Sequence, residues 1–177
     1  MKRSFSLLFL ILLCLGVAGC AEKKDEASVL EYNGRALKIG VIGEPPNDTF
    51  RNIKFVQVKL DEMKEKSGEV DGFLVMKEYF EPASEDKYTD LFLTLKKPVF
   101  FIGLKDKPYT IFIEKDLDYN NAQADKAMMY TQGFVNLENG EGQFWGTGLY
   151  NDTISEQSLH NMYIYVFQTI ADYLSKQ

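Results

Sequence analysis

The stretch GFLVMKEYFEPASEDKYTDLFLTLKKPVFFIGL, residues 72–104, decides the fold of this chain. It opens on Gly72-Phe73-Leu74-Val75-Met76, an unbroken apolar run of the length and kind expected of a strand buried on both faces. Ser84 is placed to cap a helix, and Tyr88, Leu91, Phe92 and Leu95 then recur at i, i+3, i+4 and i+7, one face of that helix. Pro98 ends it, and Val99-Phe100-Phe101-Ile102-Gly103-Leu104 is a second fully apolar strand. Strand, amphipathic helix, strand is a βαβ unit, and two strands joined in that way lie parallel.

The flanking sequence extends the same pattern. Leu37 to Gly43 reads as a strand stopped by the turn formers Pro45-Pro46-Asn47-Asp48. Ile53 to Leu60 is ambiguous: β-branched Ile53, Val56 and Val58 favour a strand, with a short helix following through Met63. Beyond the βαβ unit, Tyr109 to Ile113 reads as a short strand and Ala122 to Met128 as a helical turn. Met129 to Asn136 and Gln143 to Tyr150 flank Asn139-Gly140, a hairpin signal with a loop longer than two residues. Thr153-Ile154-Ser155-Glu156 fits a capping box. The helix it opens carries Leu159, Met162, Tyr163, Val166, Ile170 and Leu174 on one stripe and ends near Ser175. The prediction is α/β: a three-layer domain with a largely parallel sheet, plus a C-terminal β-hairpin and a long C-terminal helix. The run of elements is similar to small Rossmann-like domains.

The N-terminus carries a different kind of information. Lys2 and Arg3 precede an apolar run from Phe5 to Leu15, and Val17-Ala18-Gly19-Cys20 closes the segment. That order reads as an export signal, too short to span a membrane, which takes about 20 apolar residues. The cysteine placed straight after small residues resembles the lipobox of bacterial lipoproteins. The resemblance implies cleavage before Cys20, a diacylglyceryl group on its thiol, and attachment to the outer face of the cell membrane. Residues 1–19 are then signal peptide, 20–35 a lipidated tether dominated by Lys23, Lys24, Asp25 and Glu26, and 36–177 a single domain. Ile39-Gly40-Val41-Ile42-Gly43-Glu44-Pro45-Pro46 and Phe144-Trp145-Gly146-Thr147-Gly148-Leu149-Tyr150-Asn151-Asp152 resemble uncharacterised lipoproteins of low-GC Gram-positive bacteria, a likeness that implies no activity.

Composition removes several chemistries. Without Lys2 and Arg3, the 20 basic residues fall to 18 against 26 acidic ones. Such a balance gives no electrostatic attraction to nucleic acid or to anionic lipid headgroups. With Cys14 in the discarded leader and Cys20 acylated, no thiol is left for a disulfide, a zinc site or a nucleophile. Stability must come from the core, which 13 Phe and 10 Tyr can supply. His160 is the only histidine, beside the apolar stripe of the last helix, and neither G-x-S-x-G nor H-E-x-x-H occurs. No cofactor is expected, since G-x-G-x-x-G is missing and two prolines follow Gly43 and Glu44.

What remains are weaker constellations. Open α/β sheets bind ligands at the carboxyl ends of their strands. Those ends deliver Glu44, then Lys77 and Glu78, then Lys105 and Asp106, a set able to bind a zwitterion or to perform acid–base chemistry. Trp145, among Gly142, Phe144, Gly146, Gly148 and Tyr150, could stack on a sugar ring or anchor a protein. It could equally pack under a helix. Asp116-Leu117-Asp118-Tyr119-Asn120 has the one-three-five spacing of a calcium loop. Asn121 at the sixth position and Ala127 at the twelfth break that pattern, which leaves a solvated turn whose side chains bond their own backbone or, as the alternative, a weak calcium site of another kind. The functional expectation is a membrane-anchored, non-catalytic module binding a small molecule or a protein. The alternative is a carboxylate-dependent enzyme acting on cell-envelope material.

Overall fold

Three apolar segments become β1 (Leu37–Ile42), β3 (Gly72–Met76) and β4 (Val99–Ile102), and nearly all of their side chains are buried. They lie in a six-stranded, mostly parallel sheet of order β2-β1-β3-β4-β5-β6. The other members are β2 (Ile53–Gln57), β5 (Thr131–Asn136) and β6 (Gly142–Thr147). β2, β1, β3 and β4 run parallel, whereas β5 and β6 are antiparallel additions. The computed structural model describes residues 28–126 and 129–177. The leader, Cys20 and the first part of the tether therefore lie outside the described residues, as do Ala127 and Met128 of the expected helical turn.

Burial on both faces follows from what covers the sheet. On one face Phe73, Val75, Val99, Phe101 and Phe134 meet the short helices α1 (Met63–Lys66), α2 (Phe80–Ala83) and α3 (Asp86–Thr94). Phe80, Phe92, Phe101, Phe112 and Phe134 form a continuous aromatic cluster there, with Phe101 and Phe112 stacked at 3.8 Å. Burying one such ring stabilises the fold by about 2–3 kcal/mol. On the other face Ile39, Val41, Leu74, Phe100 and Ile102 meet the long helix α4 (Glu156–Leu174) through Met162, Tyr163, Val166, Phe167 and Ile170. The β1–β2 crossover contains no helix. It covers this face with Phe50, which packs edge-on against Phe167 at 5.0 Å. Among the described residues, no helix is long and apolar enough to cross a membrane.

The ambiguous stretch from residue 53 contains both elements in succession: β2, then a 3₁₀ turn Leu60–Glu62 leading into α1. Four expectations are corrected. Ser84 does not cap α3, whose N-cap is Glu85. Its buried hydroxyl instead donates to the Glu81 carbonyl at 3.0 Å and accepts the Tyr119 N–H at 2.9 Å, tying α2 to a distant loop. Tyr109–Phe112 is a 3₁₀ turn after Pro108 and not a strand. Its consecutive Ile111 and Phe112 both enter the same core, which a strand with alternating faces could not do. The cap of α4 is Ser155, two residues after Thr153, with Ser158 completing the box: each serine side chain accepts the other's backbone N–H, at 3.1 and 2.9 Å. Finally, the packed chain begins before residue 36, because Tyr32 is 1 % exposed and meets Phe167 edge-on.

Candidate functional site

The parallel strands discharge their carboxyl ends along one rim of the sheet, and the first turn there is built on glycine. Gly43 follows β1 at φ +112°, and a Cβ on it would lie 2.5 Å from a Glu78 carboxylate oxygen. That oxygen, Oε1, accepts the Glu44 N–H at 3.1 Å, and Gln57 Nε2 donates to the Gly43 carbonyl at 3.2 Å. The ends of β1, β2 and β3 are thereby laced together. β1 is flanked by β2 on one side and β3 on the other, so the strand order reverses at this point. The result is an open cleft of about 760 Å³ lined by Gly43 to Asn47, Gln57, Met76, Glu78 and Tyr79. Glu44 and Glu78 meet here, both exposed.

A second, tighter cleft of about 370 Å³ sits at the end of β4. It is lined by Lys105, Asp106, Lys126, Tyr130, Leu149, Asp152 and Ile154. Its walls are held by one buried amide. Gln132 on β5 donates through Nε2 to the carbonyls of Lys107 at 2.7 Å and Leu104 at 3.3 Å, and its Oε1 accepts the Tyr109 N–H at 3.1 Å. The Asp125 N–H closes the loop on the Asp106 carbonyl at 2.9 Å. Backbone strain concentrates here. Asp106, Asn151 and Asp152 all adopt positive φ, a conformation Asn and Asp tolerate better than other side chains and one that recurs at functional sites. Gly103, at φ +85°, brings the chain past the Tyr130 hydroxyl and the Lys77 side chain. Burial pushes the Tyr130 phenol above its ordinary ionisation range, so it faces the cleft as a neutral hydroxyl. Tyr163 on α4 is driven up further, first by burial and then by the neighbouring Tyr130, Glu78 and Asp48.

Glu44 and Glu78 thus share one cleft, Lys105 and Asp106 share the other, and Lys77 stands near Gly103 in the lining of neither. Trp145 is not part of this rim. It faces α4, with its ring stacked on Phe100 at 5.6 Å and edge-on to Tyr173 at 5.9 Å. Its remaining surface lines a groove of about 240 Å³ with Gln143, Tyr165, Thr169 and Asp172. Sequence reasoning missed Lys126, Tyr130 and Asp152. The only available sign of the last was the cluster of turn formers between Gly146 and Asp152.

Two other polar centres are structural. His160 stacks on Phe50 at 5.1 Å. Its Nδ1 lies 2.7 Å from Asp48 and its Nε2 2.9 Å from the Leu30 carbonyl. Both ring nitrogens are thus engaged in holding the N-terminal segment and the β1–β2 crossover, not a nucleophile. In the loop at residues 116–121, Asp118 Oδ1 accepts the N–H groups of Asn120 and Asn121 at 2.7 and 2.8 Å. It is a turn whose side chains bond their own backbone. Among the described residues, no group of His, Cys, Asp and Glu side chains is arranged to hold a metal ion. No family model, curated protein or solved structure matches this chain.

Proposed function

We propose that the chain is a lipid-anchored, extracytoplasmic binding module that takes a small charged ligand at the carboxyl rim of its sheet. The observation that carries the binding reading is the cleft at the end of β4. Two ammonium groups (Lys105, Lys126), two carboxylates (Asp106, Asp152) and a neutral phenol (Tyr130) converge there on strained loops. Opposite charges lining one concave site suit a ligand that itself carries both signs, such as a zwitterion. The anchoring reading rests on the residues before Cys20, where a basic start, a short apolar run and small residues lead into the cysteine. The finer description of the fold, a Rossmann-like three-layer domain ending in a β-hairpin and a long helix, is supported by the 2-1-3-4 order of the parallel strands.

Native mass spectrometry of the chain purified from an exporting cell tests the binding reading. A small-molecule adduct on the wild-type protein, lost in a Lys105→Ala/Lys126→Ala variant of unchanged thermal stability, is the expected result. An adduct that survives that variant places the ligand elsewhere. For the anchor, wild type should partition with membranes and Cys20→Ala should not. Identical fractionation would end that reading.

A second reading, a carboxylate-dependent enzyme acting on envelope material, has one observation in its favour: Glu44 and Glu78 adjoin in the cleft where the strand order reverses. Loss of an envelope-cleaving activity in both Glu44→Gln and Glu78→Gln would select it. Retention in either would set it aside.

A further inference from the structure

The two edges of the sheet are not equally protected. β2, at one edge, carries Lys54 within the strand and Arg51 just before it, the kind of charge that discourages pairing with another chain. β6, at the other, is Gly142-Gln143-Phe144-Trp145-Gly146-Thr147, with no charge and no proline. Among the described residues, no strand covers its outer side.

The phase of the ladder fixes which main-chain groups face outward. At the β5–β6 turn, the Leu137 N–H donates to the Glu141 carbonyl at 2.8 Å, and Gly140, at φ +85°, donates to the Leu137 carbonyl at 3.1 Å. Bonded positions then alternate, so Gln143, Trp145 and Thr147 bond to their β5 partners Val135, Gly133 and Thr131. Gly142, Phe144 and Gly146 are left pointing their N–H and C=O groups away from the sheet. The Phe144 side chain, 52 % exposed, leans on Tyr109 at 4.9 Å between two glycines that cover nothing beside it.

This outward set is symmetric: Gly, x, Phe, x, Gly about Phe144. An isologous contact needs a surface complementary to itself, and an antiparallel strand pair centred on one residue meets that need when the sequence reads alike in both directions. We infer that β6 is the self-association edge of this protein, pairing antiparallel with β6 of a second copy about a two-fold axis at Phe144. In that register each Gly142 faces Gly146 of the other copy, the two Phe144 main chains exchange bonds, and their rings adjoin on one face. Gln143 faces Trp145 on the other face. The acidic residues near the strand, Glu138 and Glu141, fall opposite Tyr150 and Thr147, so no like charges meet. The partner is another copy rather than a charged peptide because neither edge nor register offers an ion pair to a foreign strand. One strand pair buries less than the roughly 1,000 Å² of a stable interface, so the dimer is weak and favoured at high local concentration.

Cysteine cross-linking in the full-length chain tests the register. Bonded antiparallel partners lie about 5.5 Å apart at Cα, within disulfide reach. Under mild oxidation Phe144→Cys should give a dimer band on a non-reducing gel. Thr147→Cys should not, because the same register sets the two copies of residue 147 far apart; it also controls for Cys20. No cross-link at Phe144→Cys, or equal cross-linking in both variants, overturns the proposal. In native mass spectra, Phe144→Lys should reduce a wild-type dimer to monomer. A dimer unchanged by that substitution would equally overturn it.

Discussion

Every residue of β4 is buried, whereas along β6 exposed and half-buried positions alternate, although the two strands are separated only by β5. The parallel strands need crossover segments, whose helices α1, α2 and α3 cover one face while α4 and Phe50 cover the other, so apolar residues can run without interruption. β6 needs only a turn from its neighbour, and α4 covers one of its faces while the other is left to solvent. Close-packed rings dominate the parallel part; an open edge and exposed aromatics mark the antiparallel part. The first region supplies stability, and the second leaves surface free for contact.

The largest effect should come from the parallel side. Phe101 touches Phe80, Phe92, Phe112 and Phe134 and is fully buried. Phe101→Ala should cost about 3–5 kcal/mol by lost burial and the cavity left behind, read from denaturant unfolding. A loss under about 1 kcal/mol would mean that the cluster is loosely packed and that the contrast between the regions is overdrawn.

The seam between the two regions should be the next most sensitive place. A Cβ on Gly133 of β5 would fall 2.4 Å from the Phe100 ring, which itself stacks on Trp145. Gly133→Ala should therefore cost about 1–3 kcal/mol by overpacking and should displace the indole. Trp145 is the chain's one tryptophan, so native-state fluorescence reports the displacement directly. An unchanged emission maximum with unchanged stability would show that Phe100 has room to swing aside.

These two sites also show what could be read from residues alone. Continuous apolar runs at 72–76 and 99–102, and the 3.6-residue stripe of α4, are local signals because burial there follows from the element itself. The caps were harder. Ser84 and Thr153 have the right chemistry near the right place, but tertiary contacts decide: Ser84 is taken by Tyr119, and Ser155 with Ser158 closes α4. The turn at Tyr109–Phe112 misleads for a related reason, since a short apolar run has no periodicity to separate strand from turn. That Glu44, Glu78, Lys105 and Asp106 lie just past strand ends was legible, because strand ends are predictable. Lys126, Tyr130 and Asp152 reach the cleft of Lys105 and Asp106 from elsewhere along the chain, and no spacing encodes that meeting. The positioning role of Gln132 is equally silent in sequence, because the groups of the β4 loop that it holds, at Leu104, Lys107 and Tyr109, lie 23 to 28 residues away.

A pH measurement sharpens the comparison at lower amplitude. Burial raises the Tyr163 phenol in the folded state above its ordinary value of 10.0, so the unfolded chain loses that proton first as pH rises. The associated stability is complete below about pH 10 and declines above it. Tyr163→Phe should leave stability near pH 7 little changed and make the alkaline decline shallower. Equal slopes for the two proteins would assign the decline to other buried phenols, such as Tyr32 and Tyr130.

The smallest effect is expected at Phe144, and its smallness is the point. The residue is aromatic, lies within a strand and touches Tyr109, features that in β4 would signal a large contribution. Yet its ring is half exposed and no helix covers it. Truncation therefore exposes little that was buried, and Phe144→Ser should change monomer stability by no more than about 0.5 kcal/mol. Chemical unfolding at low protein concentration measures this without interference from association. A loss approaching that of Phe101→Ala would mean that the ring is held by the fold, and its presence at the edge would then need no partner to explain it. A negligible loss leaves an exposed aromatic that the fold does not require, on an edge without charges, which is what a contact surface demands and a core does not.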